Sequence, residues 1–75
     1  MNNKINIIIQ ESLDKIRDEY INNIQLNDNF WVGLNGKIEM LSLIANDNRL
    51  EVNHDLLNEI QNTRNVINRH NLNIL

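Results

Sequence analysis

Three stretches of the chain repeat apolar residues at the three- and four-residue steps of an α-helix. Over residues 4–25, Ile5, Ile9, Leu13, Ile16, Tyr20 and Ile24 fall inside an arc of about 100°, the width of a core-facing stripe. Glu11, Asp14, Lys15, Asp18 and Asn22 occupy the opposite side. Residues 29–46 carry a second stripe: Phe30, Trp31, Leu34, Ile38, Leu41 and Ala45. Residues 53–71 carry a third, Leu56, Ile60, Thr63, Ile67 and His70, with Ile74 one step beyond. Its alternating steps of four and three make a heptad-like seam suited to nearly parallel or antiparallel packing. Between the stripes lie capping and breaking residues. Asn2 or Asn3 can cap the first helix, and Leu26-Asn27-Asp28-Asn29 connects to the second. Asn46-Asp47-Asn48-Arg49 breaks the chain, and Leu50-Glu51-Val52 is expected to cross in extended form. Asn53 is an N-cap for the third helix, with Val52 stapled to Leu57, and Asp55 suits the helix dipole. Residues 71–75 are expected to fray.

The middle segment carries a competing signal. Asn35-Gly36, flanked by short apolar runs, is a type I′ hairpin sequence. Gly33 and Gly36 would each weaken a helix by up to about 1 kcal/mol. The stripe nevertheless continues through both glycines and past the end of a short hairpin, which favours the helix.

Apolar residues remain after each helix has spent its stripe. Val32, Met40 and Leu43 lie opposite the first stripe of the middle segment, with Gly36 among them and Ile44 nearby. Ile7 and Ile21 are off-stripe on the first helix, and Leu57 and Leu75 on the third. Either the outer helices cover both sides of the middle one, or a second polypeptide covers Val32, Gly36, Met40 and Leu43. A chain of 75 residues has little protein to spare, so the second alternative is favoured. Ile7 and Ile21 join the candidate interface on the same ground. The expected fold is therefore all-α: one domain over residues 1–75, a small bundle of three antiparallel helices, oligomeric or partner-bound.

Composition narrows the function classes. Seven basic residues are spread along a chain of net charge −3, so nucleic acid is a poor partner. Asn (17) and Ile (12) are in joint excess, as an AT-rich genome produces, and the Asn residues are too dispersed to build a ladder. The apolar run at Ile7-Ile8-Ile9 is too short for a signal-peptide core, and no stretch is apolar enough to span a bilayer. A cytoplasmic or virion location is expected.

No constellation for catalysis emerges. With no Cys there is no disulfide or thiolate chemistry. His54 and Asp55 with Glu51 and Glu59 lack the His spacing of a zinc helix; Asp55 and Glu59 are expected to face solvent on the third helix, with His54 in its first turn. Ser12, Ser42, Thr63 and Tyr20 have neither a nucleophile elbow nor an adjacent His. Gly33-Leu34-Asn35-Gly36 lacks the residues that would cradle a phosphate. No catalytic, cofactor or metal residue is expected, and no enzymatic activity. His70, on the apolar seam, belongs at its wet edge or as a register-fixing polar residue.

Phe30-Trp31-Val32-Gly33-Leu34-Asn35-Gly36-Lys37-Ile38-Glu39-Met40-Leu41 resembles a pattern common in short helical proteins of tailed bacteriophages. There an aromatic residue and a Leu precede Gly-Lys/Arg-Ile, with another Leu four or five positions on. Gly33 stands here where a larger residue is usual. The resemblance implies a phage or prophage origin and carries over no functional residue. It makes a virion or assembly component the first expectation, acting as an oligomer or on a larger partner. An inhibitor that binds a host or defence protein is the alternative, ahead of a DNA-binding repressor.

Overall fold

The computed structural model describes residues 3–22 and 28–74. Its regular elements are three helices, α1 (Asn3–Ile21), α2 (Asp28–Ala45) and α3 (His54–Ile74), with no strand among the described residues. Side-chain links between helices fix their directions. Near the start of α1, the Asn6 amide donates to the Glu51 carbonyl and accepts from the Asn53 N–H, at the entry to α3. Farther along α1, Arg17 reaches Thr63 and Glu59 of α3, so these two helices run parallel. Arg64 meets Glu39 and Asn71 meets the Trp31 carbonyl, so α2 runs antiparallel to α3. The bundle is up-down-up.

Each stripe supplies the core. Ile9, Leu13 and Ile16 of α1 meet Leu34, Ile38, Leu41 and Ala45 of α2, and Leu56, Ile60 and Ile67 of α3, all buried. The Asn35-Gly36 hairpin signal is overridden: α2 passes through both glycines as helix, and no described residue adopts a positive φ. The physical reason is the balance of magnitudes. Burying a Leu or Ile contributes about 1.5–3 kcal/mol, more than either glycine removes. Turn propensity is local, whereas Leu34, Ile38 and Leu41, on one face of α2, gain from packing on both α1 and α3.

Element ends depart from expectation in two places, and a third expectation, for the end of α1, reaches beyond the described residues. The described part of α1 stops at Ile21, with the Asn22 N–H still donating to the Asp18 carbonyl at 3.0 Å. The expected continuation over 23–25, including Ile24, lies outside the described residues. Leu50-Glu51-Val52 is not extended. The Val52 N–H donates to the Leu50 carbonyl at 2.8 Å, a three-residue turn, after Asp47 has already gathered Arg49 into a tight turn. Those bonds from Arg49 hold the Asp47 carboxyl below its ordinary pKa. The third helix continues to Ile74 without breaking at Asn71, whose amide donates to the carbonyls of Ile67 (2.9 Å) and Trp31 (3.1 Å). That clasp ties the last turns of α3 to the start of α2.

Phe30 and Trp31 are half-buried at one end of the bundle. The Trp31 ring lies edge-on to Phe30, tilted against Tyr20, and stacked on His70 at 4.1 Å and 10°. His70 is exposed, at the wet edge of the seam. Thr63 is buried, and its hydroxyl donates to the Glu59 carbonyl while accepting from Arg17 Nε.

Candidate protein interface

One face of α2 enters the core and the opposite face points away from the bundle. On the outward face Val32 (60 %), Met40 (60 %) and Leu43 (73 %) are exposed, with Ile44 beside them. Gly33 and Gly36 are exposed among them. Neither α1 nor α3 closes over this face, which removes the alternative in which the outer helices cover both sides of α2. At about 100° per residue the six positions fill an arc of about 120°. Asn29 is the one polar residue of α2 inside that arc.

Electrostatics sharpen the outline. Lys37 and Glu39 are the only charged residues of α2 after Asp28, and they border the arc on its two sides. Lys37 Nζ lies 2.9 and 3.1 Å from the two carboxylate oxygens of Glu19 on α1. Arg64 Nε of α3 lies 2.7 Å from Glu39 Oε1, and this carboxylate raises the guanidinium pKa above its ordinary value. Both border charges are thus neutralised within the chain.

The glycines have no structural duty inside the molecule. A Cβ at either position would meet nothing within 4 Å, and neither has a positive φ. Each makes the helix up to about 1 kcal/mol weaker than Ala would. They open a notch beside an open groove of about 520 Å³ between α1 and α2, whose lining includes Ser12, Ile16, Gly33, Gly36, Met40 and Ile44 together with Lys37.

Of the six candidate residues, Val32, Gly36, Met40 and Leu43 come together on α2. Ile7 and Ile21 are exposed but lie apart on α1. Ile7 borders a separate open cleft with Asn6, Gln10, His54 and Asp55, between α1 and the start of α3. Gly33 joins the α2 residues, at a place in the arc that helical spacing alone assigns. Ile8, one turn before Ser12 on the groove side of α1, is also exposed.

The groups considered for catalysis are placed as follows. His54 begins α3 and Asp55 is exposed, but Glu59 is drawn to Arg17 at 3.7 Å instead of facing solvent alone. Among the described residues no three His, Cys, Asp or Glu side chains gather to hold a metal ion. The Ser12 hydroxyl donates to the Ile8 carbonyl at 2.8 Å, and buried Ser42 accepts from the Asn46 amide at 3.3 Å. No described helix is long and apolar enough to cross a membrane. No family model, curated protein or solved structure matches the chain.

Proposed function

We propose that the chain is a non-enzymatic helical module that acts by docking the outward face of α2 on another polypeptide. The observation that carries this proposal is the uncharged arc of Val32, Gly33, Gly36, Met40, Leu43 and Ile44, exposed over more than three turns and bordered by charges already neutralised. Apolar patches of several hundred Å² on small soluble domains mark interaction sites. Within this function, a component or assembly factor of a bacteriophage particle is the role favoured by the resemblance of residues 30–41. Mass spectrometry of purified particles tests that role.

Photo-crosslinking tests the interface itself. A photoreactive amino acid at Leu43 gives a covalent adduct with a second polypeptide in the producing cell, whereas the same group at exposed Asn58 of α3 gives none. Equal adducts from both positions, or none from Leu43, contradict the proposal.

A further inference from the structure

Building on α2 as an interaction surface, we infer that the polypeptide covering it is a second copy of this chain, packed α2 against α2 in antiparallel orientation. The arc follows a heptad seam, with Gly33, Gly36, Met40 and Leu43 at its successive apolar positions. Its N-terminal half carries the two glycines on the seam with Val32 at the edge, and its C-terminal half bears Met40 and Leu43 on the seam with Ile44 at the edge. Antiparallel pairing about a two-fold axis on the outward face, level with position 38, sets Gly33 opposite Leu43 of the copy, and Gly36 opposite its Met40. Each half then fills the other, as an isologous interface requires. Parallel pairing instead stacks glycine on glycine at one end and large residues on each other at the opposite end, so the helices splay.

Charge does not oppose this pairing. Antiparallel helices bring like flanks together, Lys37 near Lys37 and Glu39 near Glu39. Here each Lys37 is already held by Glu19 and each Glu39 by Arg64, so neutral pairs meet and like-charge repulsion is relieved. The arc itself holds no charge for a partner of opposite sign to match. Each copy contributes four large apolar side chains and two glycines, fewer than the roughly 20–30 residues a side of a standard interface. The dimer is therefore a weak one, with a dissociation constant between micromolar and millimolar.

Sedimentation equilibrium of the full chain from about 10 µM to about 1 mM tests this pairing. The wild type shifts from monomer to dimer mass across the range. Gly36→Leu fills the notch without meeting a Cβ obstacle in its own chain, and weakens the dimer about tenfold or more while helicity is kept. Leu43→Asp does the same from the opposite side, and supplies the test if Gly36→Leu fails to fold. A wild type that remains monomeric at the highest concentration overturns the inference, as does a dimer indifferent to both folded variants. If that monomer still crosslinks from position 43 to a different protein, self-docking alone is lost. If it crosslinks to nothing, the interface is lost as well.

Discussion

Thr63 is 2 % exposed on the inner seam of α3, where its hydroxyl is both donor and acceptor. Sequence spacing places it on the stripe, but its partner, Arg17, lies 46 positions away and is visible only in the fold. Arg17 crosses from α1 and gives the buried hydroxyl a charged donor, which is how a polar residue is accommodated among Ile60 and Ile67. Thr63→Val keeps the shape and removes both bonds. We expect it to destabilise the chain by about 1 kcal/mol. For a domain of this size that lowers the melting temperature by about 4–8 °C. Thermal circular dichroism of a dilute sample checks this, and an unchanged or higher midpoint counts against the Arg17 link.

At the level of elements, α1, α2 and α3 were legible because their core positions recur at helical spacing through Ile9, Leu34 and Ile60. The Asn35-Gly36 turn signal misleads because it reflects four residues, whereas the stripe reflects a whole helix packed on two others. The turn at Leu50–Val52 was not legible, since it follows the Asp47–Arg49 bonds and not any apolar pattern. Nor could spacing show that Ile7 and Ile21 lie apart from the α2 face, because a residue off the stripe does not reveal which neighbour stands beside it. Gly33 and Gly36 give the clearest prediction at this scale. With open space around each Cβ, Gly33→Ala and Gly36→Ala should each stabilise the monomer by up to about 1 kcal/mol. Urea unfolding at low concentration measures this, and a destabilised variant means that the glycines serve the monomer and not its partner.

The whole molecule is a slender body of 40 × 21 × 16 Å, so every helix has an outer side. Those sides differ in chemistry. α1 turns out Glu11, Asp14, Lys15 and Asp18, and α3 turns out Asn58, Gln61, Asn62 and Asn65, whereas α2 turns out Val32, Met40 and Leu43. α1 also exposes Ile7, Ile8 and Ile21, and α3 exposes Val66, but the exposed apolar residues of α2 gather on one uncharged face. Amide NMR spectra recorded while the labelled chain is concentrated from about 10 µM to about 1 mM test that contrast most directly. Val32, Gly33, Gly36, Met40 and Leu43 should shift progressively while Asn58 and Asn62 hold still. Stationary α2 signals, or shifts centred on the polar back of α3, would contradict α2 as the surface through which the chain meets its own copy.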